Sequence, residues 1–206
     1  MTARLLLCIS SLFLFTTAMA QTSPLPVNLS KYDYVDPQHM VPTAPLIKAL
    51  EYYDTNYNTV NNKNYISVVD FTQNSNNKRL YVIDMKSGAV VRYLVAHGKG
   101  SDPAHTGYAK KFSNVSGSDM SSIGMYLTAE EYSGEHGHSL RIRGLDSTNS
   151  NAYARAIVIH GAAYVDPSYT PLGRSDGCPA VEQKYVSGLV DQLKDGSVYY
   201  IWAGQN

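Results

Sequence analysis

The chain has little charge and no excess of either sign. Among its 206 residues, Lys and Arg together number 17 and Asp and Glu together number 17. A chain without a basic surplus has no broad positive field to hold nucleic-acid phosphates or an anionic membrane surface. The sequence therefore predicts no nucleic-acid partner. Hydrophobic residues make up 44% of the chain, enough for a folded core, which excludes an intrinsically disordered protein.

Long apolar runs are also missing. The most apolar stretch, residues 5–15, follows Arg4 and is shorter than the roughly 20 residues that a membrane-spanning helix needs. Small residues follow it, and this order is typical of a secretory signal peptide cleaved before Gln21. We therefore expect residues 1–20 to be a signal peptide, the protein to be exported, and the mature chain to have no membrane span.

Cysteine is scarce, and its low number limits the chemistry that the chain can perform. The two cysteines are Cys8 and Cys178, and Cys8 falls inside the predicted signal peptide. A lipidated Cys8 is the alternative, but too few residues precede it for a signal with charged and apolar regions. A mature chain with one cysteine cannot form an internal disulfide, and a free thiol in an oxidising compartment is buried, paired with another chain or reactive.

The order of predicted elements indicates a mainly β, or β-rich α+β, fold. The aromatic residues are 17 Tyr, 4 Phe and 1 Trp, and Tyr suits half-buried strands. Residues 21–43 are polar and proline-bearing, which predicts an extended leader before a single domain at 44–206. Apolar spacing of three and four residues predicts helices at 44–57 and 186–193. Strands are predicted at 65–71, 79–85, 89–96, 124–128, 139–145, 156–159 and 198–202.

Two connections in this pattern are informative. Residues 86–88 predict a tight turn that joins the second and third strands as a hairpin. Residues 97–122 are rich in Gly, Ser, Asp and Lys and predict a long surface loop, a kind of segment that often carries function.

Cys178 lies in a sequence context that suits a nucleophile. Gly177 before it lets the backbone approach a substrate closely, and Pro179 after it fits the first turn of a helix. We therefore expect Cys178 at a helix N-terminus, where the helix dipole lowers the thiol pKa. A nucleophilic thiol needs a base, and His160 at the end of a predicted strand is the candidate, with His97 as the next one. The alternative for His160 is a structural histidine.

These residues resemble a known family. His160-Gly161 followed by Ser175-Asp176-Gly177-Cys178 is similar to the active-site signature of the YkuD-type L,D-transpeptidases, bacterial cell-wall enzymes with a catalytic cysteine. The similarity covers about residues 69–204. Four further stretches resemble the murein L,D-transpeptidase catalytic-domain branch: residues 97–101, 139–141, 173–175 and 179–181.

The resemblance implies a two-step acyl transfer on a peptidoglycan stem peptide, in the periplasm or at the cell wall. Cys178 would attack the carbonyl of the L-centre of a diamino acid and release D-alanine, with His160 as general base and the Gly161 carbonyl orienting its ring. The backbone N–H groups around Gly177 and Cys178 would stabilise the oxyanion. An amine acceptor, from a neighbouring stem or a protein, gives a crosslink; water gives the trimming of an L,D-carboxypeptidase or endopeptidase.

Substrate contacts are expected from Arg174, Ser175, Asp176 and His97. Asp176 departs from the family pattern, in which this position usually holds a large or basic group. A carboxylate two residues from the nucleophile disfavours the thiolate unless a cation such as Arg174 or Lys99 offsets it.

Two other functions remain open from the residues alone. Five histidines could supply metal ligands: His97, His105, His136, His138 and His160. The chain has no His-Glu-x-x-His pattern and no paired cysteines, so we predict neither a metal site nor a cofactor. A non-catalytic peptidoglycan-binding module is the second alternative, and in that case the thiol of Cys178 would be inert.

Overall fold

The structure, a computed structural model, describes residues 27–204, so the predicted signal peptide and Cys8 lie outside the described residues. In chain order its helices and strands are α1 (Thr43–Thr55), β1 (Tyr65–Asp70), β2 (Leu80–Asp84), β3 (Val90–Tyr93), β4 (Val95–Ala96), β5 (Gly124–Gly134), β6 (Gly137–Gly144), β7 (Val158–Ala162), β8 (Ala180–Glu182), α2 (Val186–Leu193) and β9 (Val198–Trp202). Neither α-helix in this part of the chain has the length and apolar character to cross a bilayer.

The nine strands form one mixed sheet that is nearly closed. Their order is β3-β2-β1-β9-β5-β6-β7-β8-β4. The two strands at the ends of this order, β3 and β4, are separated along the chain by Leu94 alone. The edges of the sheet therefore meet where the chain turns from one into the other, which also explains why the strand predicted at 89–96 is divided. The prediction of a mainly β domain with a helix near each end is confirmed.

The sheet contains one hairpin that the sequence predicted and one that it did not. The hairpin predicted around residues 86–88 is confirmed, because β2 and β3 pair antiparallel. Strands β5 and β6 extend further towards each other than predicted and form an unpredicted hairpin that turns at Glu135 and His136, so that Gly134 pairs with Gly137. Strand β8 was not predicted, because three residues are too few to display an alternating pattern.

The two helices cover opposite faces of the sheet. In β1, Ile66 and Val68 belong to the core cluster that includes α1, whereas Val69 belongs to the cluster that includes α2. Tyr199 and Tyr200 of β9 divide between the two clusters in the same way. Successive side chains of a strand point to opposite faces, so these central strands are buried on both sides.

The described part of the predicted leader, residues 27–42, is folded against the domain and is not extended. It contains a short 3-10 helix, Leu29–Tyr32, and buries Val35 and Val41 in the α1 core cluster. The carboxylate of Asp36 accepts hydrogen bonds from two backbone N–H groups that follow it. The buried side chains of Val35 and Val41 and the hydrogen bonds of Asp36 therefore hold this segment in place. Its polar, proline-bearing composition had predicted an extended leader.

Candidate active site

The sheet brings the segments that carry Cys178 and His160 side by side. Strands β7 and β8 are parallel, and His160 pairs with Ala180, two residues after Cys178. The sulfur of Cys178 lies 3.5 Å from the backbone nitrogen of Val158, two residues before His160. The thiol therefore lies beside the strand that carries the His160 imidazole.

The expectation that Cys178 begins a helix is wrong. Cys178 precedes strand β8, and α2 begins only at Val186. No helix dipole acts on the sulfur, and burial raises the pKa of Cys178 above its ordinary value. The Val158 N–H and the charge of Arg155 act in the opposite direction without reversing the shift. The resting side chain is therefore a thiol, which needs a base before it can act as a nucleophile.

The imidazole of His160 is the second group of the candidate pair. Its side chain is buried, with 2% of the residue exposed, and its Nδ1 lies 3.1 Å from the Gly161 carbonyl oxygen. A carbonyl only accepts hydrogen bonds, so Nδ1 carries the proton and Nε2 is the unprotonated nitrogen. Burial, together with the nearby His136, lowers the pKa of His160. The imidazole is therefore neutral at pH 7.

Ser175 shapes the loop before the nucleophile. Its hydroxyl donates to the Cys178 carbonyl (2.6 Å) and accepts from the Gly177 N–H (3.1 Å). Gly177 has a φ of +128°, a backbone conformation that glycine adopts without strain. With 5% of the residue exposed, Ser175 is placed to hold this turn, although its sequence context predicted a substrate contact.

A second loop is bonded to this turn through Ser121. The Ser121 hydroxyl accepts from the Gly98 N–H and donates to the Gly177 carbonyl, both at 3.0 Å. Gly98 and Ser175 form an isolated parallel β-bridge, and a Cβ on Gly98 would lie 2.8 Å from the Gly177 Cα. The predicted loop at 97–122 therefore supports the candidate site directly.

The carboxylate of Asp176 is exposed and paired with a cation. Lys99 Nζ lies 2.6 Å from Asp176 and 3.3 Å from Asp119. Of the two cations that the sequence analysis named, Lys99 is therefore the one beside this carboxylate. The guanidinium of Arg174 instead donates to the backbone carbonyl of Asp102.

His97, for which a substrate contact was expected from the sequence, is buried. Only 1% of the residue is exposed, and Arg79 Nη2 lies 2.7 Å from its Nδ1. A guanidinium only donates, so Nδ1 is the acceptor and Nε2 carries the proton. Burial and the Arg79 charge lower the pKa of His97 to about 4. The 3.5 Å approach of Nε2 to Asp102 is therefore not an ion pair at neutral pH.

Three residues near Cys178 or His160 were not predicted from the sequence. The Arg155 guanidinium donates to the carbonyls of Ser113 and Met120 while its charge lowers the thiol pKa. Burial raises the pKa of Tyr164, and the nearby Cys178 adds to this shift. The ring of His136 stacks on that of His160. No local motif marked Arg155 or Tyr164, and His136 had been grouped with the potential metal ligands.

One group of potential metal ligands occurs among residues 27–204, and it lies on the outer surface. Ligand atoms of Glu131, His138 and Asp191 lie within 4.8 Å of one another. The ammonium of Lys194 lies 2.7 Å from Glu131 and 3.5 Å from Asp191. A protein cation therefore already neutralises these carboxylates.

One cavity in the structure lies away from the thiol, because Cys178 does not line it. It has a volume of about 580 Å³ and is lined by α1 together with Met125 and Asp146. Met125 packs with the α1 core cluster, whereas Cys178 packs against the other one. The candidate site is thus assigned by its chemistry and not by cavity size.

A comparison with known protein families gives a match over most of the chain. The family model of the L,D-transpeptidase catalytic domain matches residues 38–202. No curated protein sequence matches the chain.

Solved structures that match the chain include L,D-transpeptidases from three bacteria. The Mycobacterium smegmatis protein is 12% identical with a TM-score of 0.44, and the match covers 68% of this chain and 59% of that one. The Xylanimonas cellulosilytica protein is 14% identical with a TM-score of 0.41, covering 67% and 60%. The Mycobacterium tuberculosis protein is 12% identical with a TM-score of 0.45, covering 68% and 57%. The chain thus spans about 60% of the length of the structures it matches. By the family match over most of its residues, the chain belongs to the family of L,D-transpeptidase catalytic domains.

Proposed function

We propose that this protein is an exported, cysteine-dependent acyltransferase that acts on peptidoglycan stem peptides in the periplasm or at the cell wall. The observation that carries the proposal is the position of the Cys178 sulfur, held by the Val158 N–H beside the strand that carries His160. Family membership supplies the substrate class, peptidoglycan.

In the first step His160 Nε2 takes the thiol proton as the Cys178 sulfur attacks the carbonyl of the L-centre of the stem peptide. The tetrahedral intermediate carries an oxyanion. The Gly177 N–H already donates to Ser175, so we assign the Cys178 N–H as the backbone donor to that oxyanion. The intermediate collapses, the C–N bond breaks, and D-alanine leaves with the proton that His160 returns. The product of this step is a thioester on Cys178.

The second step reverses these roles. His160 removes a proton from the incoming amine or water, which attacks the thioester, and the released sulfur takes that proton back. An amine of a neighbouring stem or of a protein gives a crosslink, and water gives a trimmed stem peptide. Within residues 27–204 no hydrogen bond joins the sulfur to the imidazole; the Val158 N–H and the Ala156 carbonyl are the partners of the sulfur. The transfer therefore requires the thiol to turn from these groups when substrate binds, as many catalytic contacts tighten only in the complex.

The pKa shifts of Cys178 and His160 favour a resting state in which both side chains are neutral. Burial raises the pKa of the Cys178 thiol and lowers that of the His160 imidazole. Neither group is charged at pH 7, so the reaction begins by general-base catalysis and not from a preformed thiolate. We expect the rate to rise with pH through the His160 pKa, on the acid side of the ordinary histidine value.

The decisive experiment compares the mature protein with Cys178→Ala and His160→Ala. Each is incubated with tetrapeptide muropeptides and the products are identified by mass spectrometry. The unmodified protein should release D-alanine and form either dimers or tripeptides, and both variants should form neither. Equal products from the unmodified protein and Cys178→Ala would refute the proposal.

A carbapenem provides a test against the non-catalytic alternative. Its strained carbonyl should acylate Cys178, so the intact mass of the unmodified protein should increase by one inhibitor molecule while that of Cys178→Ala stays constant. An unreactive Cys178 in the folded protein would instead support a peptidoglycan-binding module.

A further inference from the structure

The turn of the β5–β6 hairpin folds over the imidazole of His160. Its two turn residues are Glu135 and His136, and Gly137 follows with a φ of +72°. The ring of His136 lies parallel to that of His160, with 4.2 Å between ring centroids and an interplanar angle of 22°. His136 is exposed while His160 is buried. One histidine therefore covers the other and separates it from solvent.

The other histidine of this hairpin has a different partner. His138 Nε2 lies 2.7 Å from Glu131 on the neighbouring strand. Two histidines, two residues apart, thus make unrelated contacts, and the stacking of His136 on His160 is not a general property of histidines in this turn. His138 provides a matched control for any effect of His136.

The stacked His136 ring constrains the orientation of the His160 ring in a way that the hydrogen bond of His160 does not. The bond from Nδ1 to the Gly161 carbonyl limits rotation of the ring within its plane, but it leaves the tilt of that plane free. A second ring packed flat against the first fixes the tilt. Together the two contacts determine where Nε2, the nitrogen that takes the thiol proton, points.

We propose that His136 is a positioning residue for the general base, and this inference rests on the proposed function. By stacking on His160, His136 holds the base in one orientation and keeps water from it. It does not contact the reacting atoms.

The surroundings of His160 make His136 the residue that can change the pKa of its imidazole. Its strand neighbours, Ser139 on β6 and Ala180 on β8, carry no charge, and the Gly161 carbonyl is neutral. Among residues 27–204, His136 is the titratable group that stacks on the ring and acts on its pKa. Burial of the ring and the electrostatic effect of His136 both lower the pKa of His160, so removing His136 should raise that pKa.

The test measures the titration of the His160 ring by NMR in the unmodified protein and in His136→Ala, His136→Phe and His138→Ala. His136→Ala removes the stacked ring and its electrostatic effect on His160, so the His160 pKa should rise and kcat for D-alanine release should fall about tenfold through loss of orientation. His136→Phe keeps a stacked ring, so it should retain most of kcat while the pKa still rises. His138→Ala should leave both quantities unchanged.

The outcomes separate this inference from the proposed function. If the His160 pKa and kcat are the same in His136→Ala as in the unmodified protein, or change equally in His138→Ala, the positioning role is overturned. If the pKa rises in His136→Ala but D-alanine release does not depend on Cys178, the proposed function fails while the contact between the rings remains established. A rise in pKa with a parallel shift of the acid limb of kcat/KM supports both.

Discussion

Replacement of Ser121 by Ala tests how the two loops at the candidate site are held together. The hydroxyl of Ser121 is buried, accepts from the Gly98 N–H and donates to the Gly177 carbonyl. The substitution removes this bridge without adding bulk. Two buried polar groups then lose their partner, and one of them belongs to the residue that precedes Cys178.

The loss in the free energy of unfolding follows from the number of these groups. A buried donor or acceptor without a partner costs about 1–3 kcal/mol, so two such groups predict a loss of about 3 kcal/mol in the free energy of unfolding. For a domain of this size that corresponds to a fall in Tm of about 6–12 °C. Because the Gly177 carbonyl is released beside the nucleophile, we also expect kcat for D-alanine release to fall about tenfold.

Urea denaturation and calorimetry measure the loss, and Ser75→Ala is the control. Ser75 is also buried, but its hydroxyl has no hydrogen-bond partner among the residues that the structure describes. Its removal should change stability by less than about 0.5 kcal/mol. If Ser121→Ala and Ser75→Ala destabilise the protein equally, the hydroxyl bridge does not stabilise the site.

Three further predictions concern the support of the site, the buried core and the second helix. Gly98→Ala places a Cβ 2.8 Å from the Gly177 Cα, so D-alanine release should fall by about two orders of magnitude; activity within twofold of normal would contradict the close approach. Because the folded-state pKa of His97 is about 4 against 6.5 when unfolded, the unfolded state binds more protons, and about 3 kcal/mol of stability should be lost as pH falls from 6.5 to 4. Urea titrations across this range should show that loss in the unmodified protein but not in His97→Gln. Gly188→Ala adds a methyl group to an exposed position of α2 with no atom within 4 Å, so it should raise the unfolding free energy by about 0.5–1 kcal/mol, and an unchanged or lower Tm would refute this.

The candidate site shows how far motif reasoning reaches. A histidine after a strand and a lone cysteine after a glycine were sufficient to select His160 and Cys178. The same reasoning placed Cys178 at a helix N-terminus, because Pro179 suits both the first turn of a helix and the residue before a short strand. A sequence pattern also records residue type without burial, and for that reason His97, now seen packed beneath Arg79, was expected to contact substrate.

Periodicity and residue type determined the mainly β fold, both helices, the β2–β3 hairpin and the two residues of the proposed reaction, since these depend on local spacing and on intrinsic chemistry. Tertiary structure decided the contacts between segments distant along the chain: closure of the sheet at Leu94, the Ser121 bridge, the Lys99 pair with Asp176, and the ring of His136 over His160. The physical reason is that a local pattern specifies which face of a strand a side chain occupies, whereas the group opposite it depends on how the whole chain is packed.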